Sequence, residues 1–335
     1  MNYILRDIRG KKFIVNLTTN KYYELKNYTA KIFWEKYQEN YFDGQLALQN
    51  IKRLFPSVKE VELKNNFEQF LSSFQDNEID HNINIFRLEN NKDIPERVYF
   101  ELTEDCPFKC VHCFCPRDRH IPQLSTDKIK SILDELHELG TIYITMTGGD
   151  PLTRRDFPEL YLYAKKKGFL IYLFTNLYLL NKQHVELFLQ YPPFLIDVTL
   201  YGSCNEVYYD YTRIENAFDK VMANLKTLKN NNINFRLKTP LSIINYHDID
   251  NIEAIAGQLS KYFTISTYIF PKLNGKKHLK ELKCSIDTVI NFEKRNKNRI
   301  EKLKYKYLKG KELLEKHHGL RCEQGINAFA INGLY

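Results

Sequence analysis

At 335 residues, with 43% hydrophobic and 14% aromatic side chains, the chain can bury a large core, which excludes a disordered protein and leaves room for two domains. Its seven cysteines are an odd number with three clustered, so metal ligation in a reducing compartment fits better than a disulfide framework. The net charge of +8 is densest in lysines over 272–316, a run that reads first as a solvated helical face and second as a contact for an acidic peptide rather than for nucleic acid.

No apolar run of about 18 residues occurs, so no membrane span is expected. Met1 to Asp7 alternates charged and apolar residues, unlike a signal peptide, and the expected location is cytoplasmic.

The first stretch predicts three short strands, Tyr3 to Asp7, Lys12 to Leu17 and Lys21 to Leu25, with turn signals at Arg9-Gly10 and Thr18-Thr19-Asn20. Three helices follow. Ala30, Phe33, Trp34 and Tyr37 line the first, and Leu48, Ile51, Leu54 and Phe55 line the second. A capping box, Ser57-x-x-Glu60, predicts the start of the third, which carries Leu63, Phe67, Phe70, Leu71 and Phe74 at helical spacing. Together these make a small α+β module over 1–76.

The order of these elements, with Val15-Asn16-Leu17 and Tyr22-Tyr23-Glu24-Leu25-Lys26 leading into Thr29-Ala30-x-Ile32-Phe33, resembles the winged-helix-like peptide-binding domain of pyrroloquinoline quinone biosynthesis. That domain is called the RiPP recognition element. The resemblance implies capture of a precursor's leader peptide as an added strand, between Lys21, Tyr22, Tyr23, Glu24 and Leu25 on one side and Leu63, Phe67 and Phe70 on the other. A polar stretch rich in Asn and Asp follows, and 77–95 reads as a linker.

From Arg97 the pattern alternates strand and helix, with strands expected near 98–102, 142–146, 170–175, 196–200, 234–238 and 264–270. Such alternation implies a parallel sheet with right-handed crossovers, and six units over 96–271 suggest an open (β/α)6 partial barrel. Active groups should then gather at the strands' C-terminal ends.

Cys106, Cys110 and Cys113 follow the first of these strands as Cys-x3-Cys-x2-Cys. Three thiolates cannot complete a tetrahedral site, and spacing alone does not choose between zinc and an iron–sulfur cluster. The second strand ends in Thr147-Gly148-Gly149-Asp150-Pro151. The two motifs together resemble the radical S-adenosylmethionine (SAM) superfamily. That resemblance implies a [4Fe–4S] cluster on the three cysteines and SAM on its remaining iron, with His112, Thr147, Gly148, Gly149, Asp150, Asn176 and Thr199 lining the SAM pocket. Asp150 stands where the superfamily often has Glu, and Leu177 replaces the usual Gly after Thr175-Asn176. Arg213 is a weaker candidate for the SAM carboxylate. Cys115, Cys204 and Cys284 have no recognisable partners and read as buried thiols.

A lysine-rich helical bridge opens the last span, 272–335. Cys322-Glu-Gln-Gly325 and Ala330-Ile331-Asn332-Gly333 then resemble the start of a SPASM or twitch extension, in which Cys322 would begin an auxiliary iron–sulfur site. Its second cysteine would fall beyond Tyr335, so truncation inside a third domain is the expectation. The combined expectation is a radical SAM peptide maturase that makes a thioether or other cross-link, with flavodoxin or ferredoxin as electron donor. A radical SAM enzyme acting on a small molecule or an intact protein, and a peptide-binding adaptor with structural zinc, are the alternatives.

Overall fold

The computed structural model describes residues 3–8, 10–39, 43–73, 95, 97–113, 123–270, 272, 279–297, 300–301, 304–305, 307–308 and 328–332. Strands β1 (Tyr3–Ile8), β2 (Lys11–Asn16) and β3 (Lys21–Glu24) form an antiparallel sheet in that order. Helices α1 (Tyr28–Glu39), α2 (Gly44–Leu54) and α3 (Glu60–Ser72) follow. The Asp43 carboxylate caps α2 by accepting from the N–H groups of Gln45 and Leu46. Helix α3 starts directly after Lys59 without a side-chain cap, so the expected Ser57 box does not form. A turn from Phe55 to Val58 occupies that stretch instead.

The helices bury Phe33, Trp34, Tyr37, Ala47, Ile51, Leu63 and Phe67 against Ile14 and Leu25 on one face of the sheet. Its other face is also apolar. There Ile8, Phe13, Val15, Leu17 and Tyr22 pack on Ile142, Tyr143, Leu170, Tyr172, Phe194 and Leu195. The second set marks the N-terminal ends of three strands in the larger sheet, so the small sheet covers the end of the barrel opposite the expected active site.

Polar groups fasten this contact. The buried Arg6 guanidinium donates to the Tyr22 hydroxyl at 2.9 Å and to the Thr141 carbonyl at 2.9 Å, and lies over the Phe169 ring. Tyr22 also donates to the Gly168 carbonyl. A Cβ on Gly168 would meet Arg6 and Ile4 side-chain carbons at 2.7 Å, so glycine is what lets the sheet seat there. Lys165, buried in the barrel, donates to Asn20 at 2.5 Å and to the Pro192 carbonyl at 3.0 Å.

The larger sheet is parallel throughout, with β4 (Arg97–Thr103), β5 (Tyr143–Gly148), β6 (Leu170–Thr175), β7 (Leu195–Thr199), β8 (Phe235–Pro240) and β9 (Phe263–Ser266) as neighbours in chain order. Helices α4 (Thr126–Glu138), α5 (Phe157–Lys166), α6 (Lys182–Gln190), α7 (Asn205–Thr212), α8 (Ala217–Asn230) and α9 (Ile249–Leu259) connect them, and α10 (Ile286–Lys294) follows. These six strands are the expected ones.

A seventh was not expected: β10 (Ala328–Asn332) pairs in parallel with β4, inside the span read as an auxiliary-cluster domain. Cys115 and Cys322, and the linker apart from Pro95, lie outside the described residues. Val98, Phe100, Leu102, Ile144, Met146, Ile171, Leu173, Ile196, Val198 and Leu237 form the helix-side core. Of the opposite parity, Thr145, Tyr172 and Asp197 are buried, while Tyr99, Glu101, Thr147, Phe174, Thr199, Arg236 and Lys238 are half-buried on the inner face. Among the described residues this inner face is therefore not filled along its whole length.

Candidate active site

Strands β4 to β7 end in Thr103, Gly148, Thr175 and Thr199, and the cysteine loop leaves β4 at this pole. Backbone bonds pin the loop to the end of α7, from Lys109 N–H to the Thr212 carbonyl at 2.8 Å and from Val111 N–H to the Tyr211 carbonyl at 2.9 Å. Phe108 anchors it, fully buried against the rings of Tyr178, Tyr201 and Tyr208. Cys106, Cys110 and Cys113 are half-buried along it.

The Gly148-Gly149 turn passes under the start of this loop. Gly149 N–H donates to the Thr103 carbonyl at 2.6 Å, and a Cβ on Gly149 would lie 2.2 Å from the Asp105 carbonyl oxygen. Gly148 has a φ of 129°, and a Cβ there would lie 2.1 Å from the Thr103 oxygen. The glycines are thus required by the cysteine loop itself, a reason additional to the expected approach of a cofactor.

Asp150 does not face the pocket. Its carboxylate is buried and accepts from the Thr175 hydroxyl at 2.8 Å and from the N–H groups of Asn176 at 2.8 Å and Leu152 at 2.9 Å. Burial outweighs these bonds and pushes its pKa up to about 6. Its place is to position the end of β6, which corrects its expected contact with SAM.

What Asp150 positions does face the cysteines. The Asn176 side-chain amide donates to Cys106 Sγ at 3.4 Å, while its Oδ1 accepts from Tyr178 N–H. Leu177 keeps the left-handed backbone that a glycine would adopt, with φ of 64°.

His112 packs between the rings of Tyr201 and Tyr211, and burial lowers its pKa to about 4, so it is neutral at physiological pH. Thr147 and Thr199 sit half-buried at the strand ends. Arg213 turns away: it pairs with Asp210 at 3.5 Å and lies over the Tyr209 ring. Cys204 sits at the start of α7, and Cys284 is half-buried against the helix-side core.

Two residues here escaped the sequence argument. The Tyr201 hydroxyl lies 3.8 Å from Cys110 Sγ, and its signal was its place two residues after Thr199 in Thr199-Leu200-Tyr201-Gly202. Glu104, just before the loop, buries Oε2 without a hydrogen bond among the described residues, and His112 Nδ1 is in the same condition. Buried polar atoms of this kind, beside soft thiols at an open strand pole, fit a bound polar cofactor. Among the described residues no three Cys, His, Asp or Glu side chains converge on one ion position. A cubane cluster asks no such convergence, because each thiolate takes a different iron.

The comparisons agree with this geometry. Residues 100–259 match the family model of the Radical SAM superfamily. That part of the chain is similar to radical SAM enzyme domains, whose cofactor pair is a [4Fe–4S] cluster with SAM. An AdoMet-dependent heme synthase of Methanosarcina barkeri is 29% identical over 167 residues, covering 49% of this chain and 48% of the relative. A PqqA peptide cyclase of Bradyrhizobium diazoefficiens is 36% identical over 95 residues, covering 28% and 25%. The chain thus matches about half or less of the length of these relatives.

In fold, it is similar to SuiB of Streptococcus suis, with a TM-score of 0.52 and 15% identity over 99% of this chain and 71% of that one. A structure of SuiB bound to precursor peptide SuiA gives 0.50 and 13%, covering 98% and 71%.

Proposed function

We propose that the chain is a peptide maturase: the N-terminal sheet captures an extended leader segment of a ribosomally made precursor, and the radical SAM domain modifies the segment that follows. The supporting observation is that, among the described residues, β3 is an edge strand of its sheet. Leu25 N–H donates to the Lys12 carbonyl, so by alternation the N–H groups of Lys21 and Tyr23 also turn toward β2 and that of Glu24 turns outward. An added strand would pair along that outer side. The likeness to SuiB, whose structure is known with a precursor peptide, extends over this sheet as well as the barrel.

Four of the expected contacts change with this geometry. Tyr22 is committed to the barrel contact through Arg6 and Gly168. Leu25, Leu63 and Phe67 are buried in the module's own core. Tyr23 and Phe70, half-buried at the margin of that core, remain suitable for the peptide's side chains.

Because the small sheet covers the far end of the barrel, leader and modified residue must be separated by a strand's length. That is about 20 Å, or roughly six extended residues. Tethering at one end raises the local concentration of a weakly bound core at the other.

When bound, the cluster and SAM supply a 5′-deoxyadenosyl radical that abstracts hydrogen. The protein's part is to hold the three thiols, with Asn176 and Tyr201 beside two of them and the aromatic nest of Phe108, Tyr208 and Tyr211 behind. A cross-link is the favoured modification, since an auxiliary cluster beginning at Cys322 would accept the second electron. Flavodoxin or ferredoxin in the cytoplasm would supply the first.

The rival substrate is a small molecule, a role supported by the heme synthases among the relatives. A fluorescent synthetic peptide copied from a short reading frame beside the gene tests the choice. Saturable binding to the full-length chain supports the maturase, and no affinity for any such peptide favours the rival.

A further inference from the structure

The inner face of the sheet carries a charged cluster that the cysteine loop does not use. On β7 and β8, Ile196, Val198, Phe235 and Leu237 enter the helix-side core, and the residues between them, Asp197, Arg236 and Lys238, face inward. Asp197 is 1% exposed. Arg236 Nε donates to its Oδ2 at 2.6 Å, and Lys238 Nζ lies 3.0 Å from Oδ1. One carboxylate thus serves two cations and leaves a net positive charge. Both cations also stay accessible, with side-chain exposures of 33% and 37%.

A structural ion pair tends to bury or balance its charges, whereas here the anion is hidden and the cations are presented. Their surroundings are aromatic. Lys238 Nζ lies 4.2 Å from the Phe174 ring centre, and Tyr99 packs edge-on against Phe174.

The register places the cluster next to the reacting pole. Thr199 pairs with Lys238, and Asp197 pairs with both Phe174 and Arg236. Lys238 therefore shares a rung with Thr199, and Arg236 lies one rung below, about 7 Å along the strand.

We propose that Arg236 and Lys238 form a carboxylate-binding subsite for the substrate, taking an acidic side chain of a peptide with Phe174 and Tyr99 as the apolar wall. The subsite rests on the radical SAM assignment of the pole above it and narrows the substrate class. Asp197 pairs with both cations and offsets one of their charges, and the incoming carboxylate offsets the other.

The test uses the full-length chain, reconstituted anaerobically with cluster and SAM, and three probes followed by saturation-transfer NMR: acetyl-Phe-Glu-Phe-amide, acetyl-Phe-Gln-Phe-amide and glutarate. The glutamate peptide should bind at least about tenfold more tightly than its glutamine twin, the scale of one charge-assisted contact. Lys238→Met should remove that preference while leaving the glutamine peptide unchanged. Asp197→Asn, which removes the anion and keeps both cations, should tighten the glutamate peptide, an effect that a merely structural pair would not give.

Equal or absent binding of the two peptides overturns the subsite. Glutarate binding as tightly as the glutamate peptide overturns the peptide source in favour of a free acid. Failure of the chain to make 5′-deoxyadenosine from SAM would instead remove the assignment beneath it, so the two failures are distinguishable.

Discussion

The Asn176 amide donates to Cys106 Sγ, and Asn176 is itself held by the bond from its backbone N–H to Asp150. A donor to a cluster sulfur favours the reduced, more negative state. Asn176→Ala should therefore lower the midpoint potential of the reconstituted cluster by some tens of millivolts, the scale of a hydrogen bond of about 1 kcal/mol. Redox titration followed by electron paramagnetic resonance measures the shift. An unchanged potential would show that the amide does not reach the sulfur.

Gly149→Ala should cost more than its size suggests. The new Cβ would overlap the carbonyl oxygens of Glu104 and Asp105, so the loop must lift away from β5. A loss above about 2 kcal/mol, a melting temperature lower by several degrees and reduced iron content after reconstitution are expected. Differential scanning calorimetry and an iron assay check both, and a normal melt would contradict the close packing.

Lys165 gives the contact between small sheet and barrel a pH dependence. Burial pulls its pKa from 10.5 to about 7, so between those values the unfolded chain holds a proton that the folded chain does not. Stability should rise with pH across this window, by at most about 1.4 kcal/mol per unit, and the contribution is lost as pH falls through about 7. In Lys165→Met the slope between pH 7 and 9 should vanish, as read from urea unfolding. An identical slope in the variant would place the proton elsewhere.

Glu24→Pro should abolish binding of the precursor peptide while the chain stays folded, because the deleted N–H turns away from β2. Tyr23→Pro should instead weaken the small sheet itself, since that N–H faces Ile14. Fluorescence anisotropy and circular dichroism separate the outcomes. Undiminished binding to a folded Glu24→Pro chain would remove β3 from the recognition surface.

Several barrel strands were readable because they alternate a helix-side apolar residue with an inward polar one, as Phe235-Arg236-Leu237-Lys238 does, and β6 was readable as the apolar run Leu170 to Phe174. That alternation also marked the inner cations, had the polar half been read as a surface of its own. The small sheet's three strands were expected but its docking on the barrel was missed, although Phe13-Ile14-Val15 is an unbroken apolar run and such runs mark strands buried on both faces.

Neither Arg6 nor Lys165 could be placed from sequence, because a buried cation is decided by carbonyls that arrive from distant segments such as Thr141 and Pro192. The cysteine motif was fully legible as a pattern. The duty of Asp150 was not, since it depends on the neighbouring strand end at Thr175. Leu177 shows the converse: the residue departs from the usual glycine, yet the backbone keeps the left-handed turn at a cost of about 1 kcal/mol.

Anaerobic reconstitution of the full-length chain with iron and sulfide, followed by SAM and dithionite, tests the central assignment of Cys106, Cys110 and Cys113. The expected result is iron and sulfide at about four each for the cluster on these three thiols, with 5′-deoxyadenosine and methionine formed. In the folded Cys106→Ala, Cys110→Ala, Cys113→Ala variant both the cluster and the cleavage should be lost. A triple variant that still makes 5′-deoxyadenosine, or a wild-type chain that retains zinc and makes none, would contradict it.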